Sequence, residues 1–164
     1  GGCFLQLPPH FGPDRLPLLA HFLQKFPNEI PLAIEARHPA FFAPPNDAWF
    51  ELLARHGVGA VITDVAGRRD VCHMRLTSDK CLVRFVGNAL HPSDGQRVRE
   101  WAVRMGEWLR LGLKEFYFFA HEPDNLLAPD LATLACSAFA AAAPNALMRP
   151  APQSYRQASL FDGF

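Results

Sequence analysis

A set of polar side chains falls where short apolar runs give out: Gln6, then Glu35, Arg37 and His38, then Asp64, then Arg84 and Asn88, then His121 and Glu122. Their types suit proton transfer and anion binding. Carboxylates and imidazoles exchange protons near neutral pH when their surroundings tune them, and guanidinium groups hold phosphate or carboxylate through paired hydrogen bonds. Glu35, His121 and Asp64 are therefore the candidate acid and base groups, with Gln6, Arg37, His38 and Arg84 as the candidate ligand-binding groups. His38, Asp64, His121 and Glu122 are also ligand types for zinc or manganese, but no spacing among them matches a metal signature. A divalent metal stays open as a cofactor. The sequence contains no Gly-x-Gly-x-x-Gly, Walker loop or Gly-x-Ser-x-Gly elbow, which argues against dinucleotide, nucleoside-triphosphate and hydrolase-elbow chemistry as usually encoded.

To act together these residues need a scaffold, and the apolar runs supply one. Cys3–Leu7, Leu32–Arg37, Ala60–Asp64, Cys81–Gly87 and Phe116–His121 are too short for helices and read as five strands. Helical patterns lie after four of them: Arg15–Phe26, capped by Asp14, then Asp47–His56, Ser93–Leu111 and Pro129–Ala142. Strands and helices that alternate without hairpin signals predict parallel pairing through right-handed crossovers, hence an α/β fold. Asp64 to Cys81 is the one long connection without a convincing helix.

Ligand sites of such folds lie at the C-terminal ends of the strands, where the polar set falls. Strand alternation places Ala33, Glu35 and Arg37 on one face, and Leu82, Arg84 and Val86 on one face. Glu35 is then expected to pair with Arg37 or Arg84, either in an anion-binding pocket or in a buried salt bridge that only fixes the fold; the spacing does not separate the two. His10, His56, His73 and His91 read as loop or surface residues without a role, and FFAPPNDAWF and EFYFFAH as packing segments.

Lys plus Arg and Asp plus Glu balance at 16 each, and 49% of residues are apolar, enough for a core, so no global charge advertises nucleic acid or acidic partners. The 164 residues suit one domain, and the start GGCFLQL, without an initiator Met, is expected to belong to part of a larger fold. Cys3, Cys72, Cys81 and Cys136 form no Cys-x-x-Cys pair and read as buried free thiols. No apolar run is expected to reach a membrane span, and the default location is the cytoplasm.

FLQLPPHFGPDRLPLLAHFL, AIEARHPAFF, VITD, LVRFVGN and the terminal SLF, in this order over nearly the whole chain, resemble the YecE-like family of uncharacterised proteins. The sharpest parts are Gln6-Leu7-Pro8-Pro9 and Glu35-Ala36-Arg37-His38-Pro39, the second resembling the family's E-x-R-H-P signature. The resemblance implies a TIM-like (β/α) barrel of which residues 1–144 supply strands four to eight, with the three N-terminal strands missing. It also implies that Gln6, Glu35, Arg37, His38, Asp64 and Arg84 lie at the barrel mouth. The family has no established reaction. This chain departs from it with Val86-Gly87 where many members have His-Gly, and with Ala120-His121 where many have Asn-Asn.

Residues 145–164 read as an extended flexible tail with proline at Pro150 and Pro152. Within it Gln157-Ala158-Ser159-Leu160-Phe161 looks like the bacterial sliding-clamp-binding pentapeptide, in which Leu160 and Phe161 fill a hydrophobic pocket while Gln157 and Ser159 are polar contacts. The alternative is that Leu160 and Phe161 fold back on the barrel. Two functions follow as expectations: a hydrolase-type enzyme for a phosphorylated or nucleic-acid-derived ligand, tethered to a clamp, or a non-catalytic adaptor in DNA replication or repair.

Overall fold

The computed structural model of the protein describes residues 2–45 and 47–146. Six strands and four α-helices run in the order β1 Cys3–Gln6, α1 Leu16–Lys25, β2 Leu32–Glu35, α2 Asp47–Arg55, β3 Gly59–Ala60, β4 Ile62–Val65, β5 Lys80–Val86, α3 Pro92–Arg110, β6 Glu115–His121 and α4 Ala128–Ala142. Every strand pairing is parallel, within two three-stranded sheets of order β1-β2-β3 and β4-β5-β6. The α/β class predicted from alternation stands. No closed barrel is found among the described residues, where the outer edges of β1 and β6 pair with nothing.

The expected third strand is two strands. Val61 interrupts it, yet the Val61 N–H donates to the Ile34 carbonyl at 2.9 Å, so the two sheets meet across a single residue. The second strand ends at Glu35 rather than Arg37, because His38 opens a 3₁₀ turn over Pro39–Phe41. Asp14 caps nothing: it lies inside a 3₁₀ turn, Pro13–Arg15, that leads into α1. Pro13 and Pro17 lack N–H groups, which leaves fewer helix-start donors in need of a cap.

Two apolar cores lie where the helices cover the strands. Leu19, Leu23, Ile34, Phe41, Trp49, Phe50 and Leu53 fill the first, among α1, α2 and β2. Ile62, Val83, Phe85, Val98, Trp101, Leu131 and Phe139 fill the second, among β4, β5, α3 and α4. Trp49, Phe41 and Phe50 are buried almost completely, and each such side chain contributes about 1.5–3 kcal/mol by leaving water. Cys81 is the buried thiol, and its desolvation pushes its pKa up to about 12, whereas Cys3 is exposed and Cys72 and Cys136 are partly buried. By length and composition Asn125–Ala142, with mean hydropathy 1.3, is apolar enough to cross a membrane, contrary to the sequence expectation. Its Leu131, Ala135 and Phe139 are packed in the second core.

The connection from β4 to β5 contains no α-helix, as expected, but it is tied down. Thr77 accepts from the Ala60 N–H at 2.7 Å and donates to the Val58 carbonyl at 2.6 Å. The His73 Nε2 lies 3.0 Å from the Val61 carbonyl, and its ring stands edge-on to Phe50.

Candidate functional site

Gln6 and Glu35 are the last residues of neighbouring strands and stand in register. From β5, Arg84 reaches back toward them. The Gln6 amide donates to Glu35 Oε2 at 2.8 Å, and Arg84 Nη1 donates to Glu35 Oε1 at 3.2 Å. The Glu35 carboxylate is only 2% exposed, so these two donors stand in for the water it has lost. Arg84 is the partner that the alternation argument had left open between Arg37 and Arg84. The Arg84 side chain keeps 29% exposure, and its Nε and Nη2 groups donate to none of the described residues.

His121 closes β6 in register with Val86, two residues above the level of Arg84. Partial burial lowers its pKa first, the Arg84 charge lowers it further, and Glu35 works in the opposite direction. Near neutral pH the imidazole is therefore a free base able to accept a proton.

The other predicted site residues are placed elsewhere. Asp64 is fully buried with its carboxylate toward α3: Oδ1 accepts from Arg97 Nη2 at 2.8 Å and Oδ2 from the Trp101 indole at 2.7 Å. Both oxygens are thus committed on the side of the sheet away from Glu35. Arg37 is exposed beyond the end of β2 and makes no ion pair with the described residues. His38 turns back on its own backbone, its Nδ1 accepting from the Ala40 N–H at 3.2 Å. Gln157, Ser159, Leu160 and Phe161 lie outside the described residues.

Glu122, grouped from the sequence with the metal-ligand types, is 4% exposed and holds a loop. Its Oε2 accepts from the Ala89 N–H at 2.8 Å and its Oε1 from the Leu90 N–H at 3.3 Å, both residues having left-handed backbones (φ 53° and 56°). Consecutive N–H groups in such a turn form an anion-binding concavity, here filled by a carboxylate of the protein itself. Gly87 beneath it leaves no room for a Cβ against that carboxylate. Among the described residues no three His, Cys, Asp or Glu side chains are gathered as a metal would require.

Three features escape a reading of spacing. Arg97, on α3, bridges the ends of β4 and β5: beyond Asp64 it donates to the Val86 carbonyl at 3.2 Å and to Asp94 at 3.1 Å, with its guanidinium 4.1 Å from the Phe85 ring. His91, set aside as a surface residue, caps α3 by accepting from the Ser93 N–H. Thr63, beside Arg84 in the β4–β5 register, is buried and its hydroxyl has no partner among the described residues. Period-two alternation puts it on the face opposite Ile62 and Asp64, which both face α3, but nothing in the spacing shows that its hydroxyl goes unpaired. Further down the same face Phe4, Ala33, Leu82, Tyr117 and Phe119 line an open cavity of about 390 Å³.

The family described as Protein of unknown function DUF72 matches residues 1–156. The UPF0759 protein YecE of Escherichia coli K12 is 33% identical over 151 residues, covering 80% of this chain and 55% of the relative; its counterpart in Escherichia coli O157:H7 matches equally. Two crystal structures of a DUF72 family protein from Enterococcus faecalis V583 superpose with TM-scores of 0.66 and 0.58 at 15% and 16% identity. They cover 83% and 90% of this chain, which in turn covers 59% and 60% of theirs. The chain thus spans little more than half the length of the proteins it matches.

Proposed function

The chain belongs to the DUF72 family of proteins of unknown function, and from that footing we propose that it is a hydrolase-type enzyme acting on a small phosphorylated or nucleic-acid-derived ligand at the Glu35–Arg84 site. In this reading β1 to β6 are the fourth to eighth strands of a TIM-like barrel, the third expected strand being split into β3 and β4, and the site lies at its mouth. The all-parallel order and the likeness to longer DUF72 structures support that placement.

One observation carries the proposal. A nearly inaccessible carboxylate is paired with a guanidinium that still has donors to spare, within the electrostatic reach of an uncharged imidazole. Arg84, assisted by Arg37 at the rim, holds the oxyanion of the ligand and offsets the charge that grows during displacement. His121 takes a proton from the attacking water, and Glu35 stabilises the imidazolium that results. Gln6 fixes the Glu35 carboxylate so that it need not reorganise.

The test is hydrolysis of a panel of phosphomonoesters, phosphodiesters and nucleotides by the 164-residue chain and its variants. His121→Ala and Arg84→Gln are expected to lower kcat/KM on the accepted ester by at least about a hundredfold each, the usual worth of a general base or a charge-stabilising group. Unchanged turnover in both variants, or no turnover of any ester, would count against the enzyme.

A second reading has its own support: Glu35 is satisfied by Gln6 and Arg84 alone, as a purely structural ion pair would be. The barrel would then be a scaffold, and the tail, through Gln157, Ser159, Leu160 and Phe161, would join a bacterial sliding clamp as an adaptor among cytoplasmic DNA-processing proteins. The tail is tested in either case by fluorescence polarisation of a labelled Pro152–Phe164 peptide with a sliding clamp. Micromolar binding that disappears on changing Leu160 and Phe161 to Ala supports the tether.

A further inference from the structure

Thr63 is one of the few buried polar side chains in the described part of the protein that the protein itself does not satisfy. Its residue is 8% exposed, and among the described residues its hydroxyl oxygen neither donates nor accepts within hydrogen-bonding distance. A buried hydroxyl without a partner costs on the order of 1–3 kcal/mol, so such a group marks a site completed by something else. Position says what that is. Ile62 packs in the second core and Asp64 binds Arg97 and Trp101, so alternation turns Thr63 to the opposite face, the face of Glu35 and Arg84. Thr63 and Arg84 are direct neighbours across the β4–β5 ladder, roughly 4.8 Å apart in the pairing direction.

We infer that the Thr63 hydroxyl is a ligand-binding group of this site and that, with the free Nε and Nη2 groups of Arg84, it recognises an oxyanion bearing at least two oxygens, a phosphate or a carboxylate. The inference rests on the anion-binding reading of the site and sharpens it. Arg84 spends Nη1 on Glu35, which orients the guanidinium plane and leaves a two-donor edge. A hydroxyl on the adjacent strand adds a third donor from a different direction. Arg84 on β5 extends past β4, the strand of Thr63, to meet Glu35 on β2, so the guanidinium and the hydroxyl share one side of the site, and apart from the paired Glu35 no carboxylate there is free: Asp64 points to α3 and Glu122 is spent on Ala89 and Leu90. Valine in place of Thr63 would keep the shape and lose the contact; serine would keep the hydroxyl.

The experiment titrates the 164-residue chain, with Thr63→Val, Thr63→Ser and Arg84→Gln, against inorganic phosphate and separately against acetate by calorimetry, and records the thermal midpoint of each without anion. The expected result is binding of at least one anion by the unaltered chain, weakened about tenfold or more in Thr63→Val and retained within about threefold in Thr63→Ser, as loss of one hydrogen bond to a charged group demands. The anion-free midpoint of Thr63→Val should be equal or higher, because an unsatisfied buried hydroxyl has been removed. Undiminished binding in Thr63→Val, with binding lost in Arg84→Gln, overturns the role of Thr63 and leaves the anion site standing. A lowered anion-free midpoint in Thr63→Val, restored in Thr63→Ser, shows a structural hydroxyl and also overturns it. Failure of the unaltered chain to bind either anion overturns the anion site and the inference together.

Discussion

Glu35 shows how much a single side chain owes to its neighbours, because its carboxylate is tolerated at 2% exposure only through the Gln6 amide and the Arg84 guanidinium. Glu35→Gln keeps the shape and deletes the charge, leaving Arg84 unpaired beside an amide. The expected loss is about 2 kcal/mol, below the 3–5 kcal/mol of a fully buried broken pair because water reaches Arg84. Urea denaturation measures it, and pairing the change with Arg84→Met should recover part of it. His73 carries a pH dependence. Burial holds its pKa at about 4, against 6.5 for the free side chain, so the unfolded chain binds a proton between those values that the folded chain refuses. Stability should therefore fall as pH drops from 6.5 to 4, by up to about 3 kcal/mol from this residue. His73→Phe should flatten that slope, which denaturation midpoints across the range would reveal; an unchanged slope would contradict the assignment. Neither residue's state was legible from spacing. Glu35 could be matched to two arginines equally well, and His73 read as a surface group, because solvent exposure depends on what packs above a loop.

Between β5 and α3 the chain is shaped by two carboxylates, of which the sequence analysis had offered only Glu122 as a metal-ligand type. Glu122 follows β6 directly, yet it serves the turn after β5, accepting from Ala89 and Leu90 while pressed against Gly87. Asp94 accepts from the Asn88 N–H at 2.7 Å and ties the same turn to α3. Gly87→Ala should thus displace the Glu122 carboxylate and cost about 2 kcal/mol, from overpacking and two loosened hydrogen bonds. Combined with Glu122→Ala the two losses should not add, which a double-mutant cycle in urea would show. The strand and helix order was readable because periods of two and 3.6 are local properties of the chain. Strand ends were less so: β2 stops at Glu35, just before the local 3₁₀ turn that His38 opens, and the third strand breaks at Val61 although its N–H still reaches the Ile34 carbonyl.

Across the molecule the parallel sheets leave β1 and β6 with unpaired outer edges among the described residues. Apolar grooves flank both: Leu5, Phe11, Leu18 and Phe22 beside β1, and Leu109, Phe116, Phe118 and Phe139 beside β6. Phe4 and Phe119 on the inner face are about half exposed. Open edges next to apolar surface invite pairing with other chains. The 164-residue chain alone is expected to self-associate with rising concentration and to bind a hydrophobic dye. Light scattering after size exclusion checks this, and a monomer at every concentration would contradict it.

The order of residues was enough to establish the α/β class, the parallel sense of the strands, the family and the pairing of Glu35 with one of two arginines. Those conclusions need only local periodicity and motifs that are contiguous in the chain. The choice of Arg84 over Arg37, the turning of Asp64 toward Arg97 and Trp101, the use of Glu122 to hold a turn and the isolation of the Thr63 hydroxyl came only with the folded chain. Each depends on partners 29 to 49 positions apart, as Gln6 and Arg84 are from Glu35, or on the face to which a strand turns a side chain. A charge or hydroxyl has no chemical role until its solvent and its neighbours are known, and packing sets both.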